Sequence, residues 1–127
     1  MATIGYFEYS KRDFEYAVGN LSLGFYDPCG RFCQQSVEKR MKHYIEQNGD
    51  ASDFGFFTTH NLGRLYDRIC QIAGQKNDKA VRGDLSKLTD YYFDTNYPKA
   101  MNIELTQEMA QEAVDIAAYV NEWIDGL

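Results

Sequence analysis

Residues 28–48, PCGRFCQQSVEKRMKHYIEQN, constrain the rest of the chain most, because Cys33, Val37, Met41, Tyr44 and Ile45 recur there at three- to four-residue spacing. That spacing draws one apolar stripe along a helix. Arg31, Lys39, Lys42 and Glu46 fall on the other face, and Gln34 and Glu38, one turn apart, flank the stripe. Asp27 is placed to cap the first turn, Pro28 suits the first helical position because its missing donor would be unpaired there anyway, and Gly49 reads as a left-handed stop. A helix with one apolar stripe buries it against other elements, so the remaining segments have to supply partners.

They read as helices too. Residues 5–22 place Phe7, Phe14, Val18 and Leu21 on one side with Ala17 beside them, leaving Tyr6, Tyr9 and Tyr16 as rim or contact aromatics. The turn from Gly24 to Asp27 is short enough to favour an antiparallel helical hairpin. Phe54, Phe56 and Phe57 are expected to anchor the segment after Gly49 onto the bundle. A third helix opens at Thr58 or Thr59, carries Leu62, Leu65, Ile69 and Ile72, and stops at Gly74. A fourth carries Val81, Leu85, Leu88 and Tyr92 and ends by Tyr97, since Pro98 disfavours helical geometry in the residue before it. Thr106 opens an acidic first turn of the last helix, which turns Met109, Ala113, Ile116, Ala117, Val120 and Ile124 inward with Trp123 at an edge. No strand alternation, repeat or Gly/Ser linker interrupts the pattern. The expected fold is all-α, with residues 1–127 as one helical domain.

The charge narrows the function classes. A net charge of -6 and a pI near 4.8 oppose a broad grip on a nucleic-acid backbone, which depends on Lys and Arg displacing counterions. Cys29, Cys33 and Cys70 are odd in number, and the first two stand one turn apart on a helix, a poor geometry for a disulfide. Neither His43 nor His60 has the paired spacing of a zinc module, so the thiols read as buried and no metal is expected. With no signal-peptide pattern, membrane-length apolar run or lipidation motif, the expected location is cytoplasmic.

No phosphate-binding loop, nucleophile elbow or metalloprotease motif is present. The polar and aromatic residues left over are Gln34 and Glu38, His60 at the start of the third helix, and Tyr91, Tyr92, Asn96 and Tyr97 around the end of the fourth. His60 reads either as a neutral donor and acceptor for a ligand, since a helix start disfavours its protonated form, or as part of the helix-start hydrogen bonding. Gln34 and Glu38 read either as an amide and carboxylate facing a cleft or as a solvated shoulder in which Glu38 pairs with Lys42. The tyrosines read either as a stacking platform for a base or as closure of the core.

Taken in order, SKRDFEYA, FCQQSVEKRMKHYI, TTHNL and TNYP, followed by an alanine- and glutamate-rich last helix, resemble the HEPN family of small helical domains from about Ser10 to Trp123. The resemblance implies an antiparallel up-and-down bundle of four long helices plus a shorter additional one. It also implies a homodimer and a companion nucleotidyltransferase. Ribonuclease members of the family carry an Arg followed a few residues later by a His near the late helices. Here Arg40 is too close to His43 and lies on another helix, and the Arg-Tyr-Pro that ends the fourth helix in many relatives reads Asn96-Tyr97-Pro98. Gln34, Glu38 and His60 match recurring family positions. The expectation is a noncatalytic dimeric domain without a cofactor that binds a nucleotide or a partner protein such as a nucleotidyltransferase. Its candidate ligand residues are Gln34, Glu38, His60, Tyr92, Asn96 and Tyr97. The alternatives are a toxin-like metal-independent endoribonuclease, in which His60 with Arg64 replaces the missing pair, and a purely structural interaction module.

Overall fold

The computed structural model describes residues 5–96 and 104–127, with Asn96 described by its backbone alone. The chain is all-α, an antiparallel up-and-down bundle. Its α-helices are α1 (Tyr6–Leu23), α2 (Tyr26–Asn48), α3 (Leu62–Ala73), α4 (Lys79–Asn96) and α5 (Gln107–Asp125), and a 3-10 helix spans Ala51–Thr58 between α2 and α3. The 12-residue α3 is the shorter additional helix. Among the described residues there is no strand, and no helix is long and apolar enough to cross a membrane.

Helix α2 packs against each of the other four α-helices. Its stripe of Cys33, Val37, Met41 and Ile45 is fully enclosed, together with Leu62, Leu65 and Ile69 of α3, Leu85 and Leu88 of α4, and Ala113, Ala117 and Val120 of α5. Cys29, Cys33 and Cys70 are buried free thiols. The Cys33 thiol is pushed well above its ordinary value by its hydrogen bond with Cys29 and by burial, which makes it a packing group rather than a nucleophile. At Gly30 the chain before α5 comes so close that an added Cβ would lie 2.6 Å from Leu105 Cδ2.

Several local expectations change. Helix α2 begins at Tyr26, and Asp27 does not cap it: its carboxylate accepts the Leu105 N–H at 2.8 Å, tying α2 to the segment entering α5. Gly24, at φ 81, makes the left-handed turn that allows α1 to reverse into α2. Gly49 is extended instead, and it is required for space, because an added Cβ would meet Asp53 Oδ2 at 2.4 Å and the Ile45 carbonyl oxygen at 2.8 Å.

Helix α1 turns Phe14, Ala17 and Leu21 toward the core as its apolar residues suggested, but its most deeply buried line is more polar than that face. Ser10, Asp13 and Ala17 are buried while Val18 is 40% exposed. The reason is close approach: Ser10 Oγ donates to the Ser36 carbonyl (2.6 Å) and Ser36 Oγ donates to the Ser10 carbonyl (2.8 Å), so small side chains occupy the contact. Phe56 and Phe57 pack on the core as expected, but Phe54 is 77% exposed. Asn61, not Thr58 or Thr59, caps α3 by accepting the Arg64 N–H at 3.1 Å. Gly74 (φ 67) and Thr106 perform the expected stop and start.

Candidate functional site

The segment after α2 is held rigidly. Asp50 and Asp53 form a reciprocal capping box at the start of the 3-10 helix, and Arg68 of α3 grips Asp53 with two nitrogens, Nε to Oδ1 at 2.6 Å and an Nη to Oδ2 at 3.0 Å. That guanidinium holds the Asp53 carboxyl below the usual carboxylate range. The clamp fixes where the chain leaves the 3-10 helix, and His60 follows two residues later, just ahead of the Asn61 cap. The Leu62 N–H donates to Thr89 Oγ1 of α4 at 3.3 Å, which pins the start of α3 against α4.

There His60 meets α2. Gln34, Glu38 and Lys42 stand on successive turns, and all three are buried. Glu38 is paired with Lys42, as one of the two expectations had it, but the pair is enclosed rather than a solvated shoulder. Lys42 Nζ donates to Glu38 Oε2 at 3.0 Å. Glu38 Oε1 accepts from Gln34 Nε2 at 3.1 Å and from His60 Nδ1 at 2.8 Å. Because an ionised carboxylate only accepts, the proton of that bond sits on Nδ1, and a neutral ring keeps its lone pair on Nε2. Gln34 Nε2 also donates to the His60 carbonyl at 3.0 Å. Both amide hydrogens are thereby used, and Gln34 Oε1 is left buried with no partner among the described residues.

The His60 ring stacks on Tyr92 of α4, with centroids 4.9 Å apart and planes at 28°. Its side chain remains 45% exposed, and Nε2 has no partner among the described residues. Tyr6 of α1, stacked on Phe57 at 6.0 Å, borders the group, and its hydroxyl is held above its ordinary value by burial and by the Glu46 and Glu38 carboxylates.

The structure thus brings four of the candidates, Gln34, Glu38, His60 and Tyr92, into one connected group. Asn96 ends α4, but its side chain lies outside the description, and Tyr97 lies outside the described residues altogether. Tyr91 is buried in the core, near Gly30 of α2. Arg64, the candidate companion to His60, lies over the Phe56 ring at 5.2 Å. Lys42 belongs to the group although its sequence position suggested the solvated face; its signal was the four-residue spacing from Glu38. Among the described residues no three His, Cys, Asp or Glu gather as ion ligands. Chemically the group is a carboxylate-oriented imidazole with an open edge, backed by an enclosed ammonium and an unpaired amide oxygen. It can accept a hydrogen bond at Nε2 and present a flat aromatic surface.

The HEPN domain family matches residues 5–127. No curated protein matches the chain. Among solved structures, the crystal structure of TT1696 from Thermus thermophilus is similar at a TM-score of 0.81 and 21% identity, over 95% of this chain and 94% of that one. The structure of ST0689, described as an archaeal HEPN homologue, is similar at a TM-score of 0.69 and 21% identity, over 95% and 93% of the two chains. At that identity the two structures speak for the fold, and the match along residues 5–127 speaks for the family: the chain belongs to the HEPN domain family.

Proposed function

We propose that this chain is a noncatalytic HEPN module that acts as a homodimer and binds a nucleotide through the group centred on His60, in the service of a partner such as a nucleotidyltransferase. The observation that carries the reading is the Glu38–His60–Tyr92 arrangement: one carboxylate fixes the ring tautomer, one tyrosine fixes its plane, and nearly half of the imidazole side chain stays open. A purine has a donor for Nε2 and a face for the ring, and stacking on an aromatic platform contributes roughly 1 to 3 kcal/mol per base. The overall acidity fits one small ligand better than a long strand.

Thermal shift and calorimetry with a panel of purine nucleotides test this. A nucleotide at about 100 times its dissociation constant stabilises the fold by about 2.7 kcal/mol, and His60→Ala removes the effect. If no nucleotide shifts the melting transition, the reading fails and a protein-binding module takes its place.

One observation favours a second reading. A carboxylate-held imidazole is also the arrangement of a general base, which would suit a metal-independent endoribonuclease. Incubation with single-stranded and structured RNA separates the two: cleavage lost in His60→Ala supports the enzyme, and intact RNA leaves the binding module.

A further inference from the structure

At the other end of the α3–α4 hairpin lies a cavity of about 130 Å³ that the group around His60 does not use. Its wall includes Val81, which stands about three turns before Tyr92 on α4, roughly 16 Å along the axis at 1.5 Å per residue. Three aromatic side chains line it: Tyr66 of α3, and Tyr119 and Trp123 one turn apart on α5. The Tyr66 and Trp123 rings meet at 54° with centroids 5.4 Å apart, which makes a corner rather than a flat stack. Asp78 and Lys76, from the turn between α3 and α4, and Val120 of α5 complete the lining.

Tyr66 and Asp78 are fixed before any ligand arrives. The Asp78 N–H donates to the Tyr66 hydroxyl at 2.9 Å, and the Asp78 carboxylate accepts the N–H groups of Ala80 (2.8 Å) and Val81 (3.3 Å) at the start of α4. Tyr66 is buried, whereas Tyr119 is 62% exposed and forms the open wall.

Aromatic faces carry negative potential, and a group of them beside a carboxylate recognises an alkylated ammonium better than a neutral body of the same shape. A cavity of about 150 Å³ holds a benzene-sized molecule, so about 130 Å³ takes a trimethylammonium head and leaves the rest of the ligand at the open mouth. Lys76 would oppose a bare cation, but it would pair with a carboxylate carried on the same small molecule. We propose that this cavity binds a small zwitterion of the betaine class, its methylated ammonium against Tyr66, Trp123 and Tyr119 near Asp78, and its carboxylate at Lys76. This site is independent of the nucleotide reading above, and either can fail without the other.

Calorimetric titration of the full chain with glycine betaine, and with its carbon isostere 3,3-dimethylbutanoate, tests it. The isostere keeps the shape and the carboxylate and loses only the positive charge. Betaine binds, and the isostere binds about tenfold more weakly or worse, the equivalent of ~1.4 kcal/mol. Tyr119→Ala, at an exposed position, melts as the parent does and weakens betaine roughly 2- to 30-fold, which corresponds to one cation–π contact. Lys76→Ala weakens betaine as well. Equal binding of betaine and its isostere, no betaine binding, or unchanged affinity in Tyr119→Ala overturns the proposal.

Discussion

Helix α2 carries two polar groups on two of its sides, and they are built to opposite ends. Toward α1 and α5, Ser10, Ser36, Arg40 and Asn121 form a seam: Arg40 Nε donates to Ser10 Oγ at 3.1 Å, Asn121 Nδ2 donates to Ser36 Oγ at 3.0 Å, and Arg40 also pairs with Asp125. Toward α3 and α4, Gln34, Glu38 and Lys42 form a second group that reaches the surface through His60. In the seam the charge that meets water is Asp125 at the end of α5, 46% exposed. In the second group both members of the ion pair are enclosed, and what meets water is an oriented, stacked imidazole. The seam joins helices; the second group spends its buried charges on placing one ring.

The sharpest test of that difference removes one cation from each side. Lys42→Met leaves the Glu38 carboxylate enclosed without its counter-ion, the situation that costs about 3 to 5 kcal/mol when one half of a buried pair is deleted. Adding Glu38→Gln to it recovers much of that loss, because the uncompensated charge is gone. Arg40→Met also breaks an ion pair and a hydrogen bond, but the Asp125 left behind is half exposed and rehydrates. Its cost is the lost charged hydrogen bonding, about 1.5 to 3 kcal/mol. Urea unfolding of the variants orders them. Were Arg40→Met the more damaging, the seam would be the true charge-bearing core and the contrast between the two sides would not hold.

A smaller effect separates the two sides by pH. Arg68 lowers the Asp53 carboxyl, so below the pH at which an unfolded chain takes up that proton the folded chain still does not, and the unfolded state binds more protons. Stability from Asp53 is therefore complete above its ordinary value near 3.8 and is lost as pH falls toward the lowered one. On the α1 side the sign reverses. Burial raises the Asp13 carboxyl in spite of its bond to Lys39, so the folded chain holds that proton longer and stability falls as pH rises through the interval above 3.8. In acid titrations followed by circular dichroism, Asp53→Asn flattens the acid side of the stability profile. Asp13→Asn steepens it, because the opposing contribution is gone.

The sequence made the helices legible and named all four members of the candidate group, but not the contacts that join them. Cys33, Val37, Met41 and Ile45 announce α2 by spacing alone, and Gly74 and Thr106 mark ends that the structure keeps. Gln34 and Glu38 were legible as a pair because they lie one turn apart. Their burial was not legible, since it depends on α3 and α4 closing over them, and the pairing of His60 Nδ1 with Glu38 Oε1 spans 22 residues of chain. Helix α1 shows the opposite error. Phe14, Ala17 and Leu21 pack inward as their spacing suggests, but Val18 stays exposed and close approach to α2 selects Ser10 for the tightest contact, a choice that belongs to the helix pair and not to either helix. In the sequence Gly49 looks like a left-handed stop because glycine so often serves there; it is glycine because Asp53 and the Ile45 carbonyl leave no room for a Cβ.

The mildest expected effect lies in the 3-10 helix that leads to His60. Phe54, Phe56 and Phe57 look alike in the sequence, yet only Phe56 and Phe57 pack against the core while Phe54 is 77% exposed. The Asp50–Asp53–Arg68 clamp holds this turn, and the largely exposed Phe54 ring contributes little buried area to the fold. Phe54→Ser therefore changes the unfolding free energy by no more than about 0.5 kcal/mol, as surface substitutions generally do. Phe57→Ser removes the stacking on Tyr6 and costs more, and loosens the border of the group around Glu38. Equal losses from the two in urea unfolding would mean that the turn is held by its aromatics after all, and the clamp would then not be what positions His60.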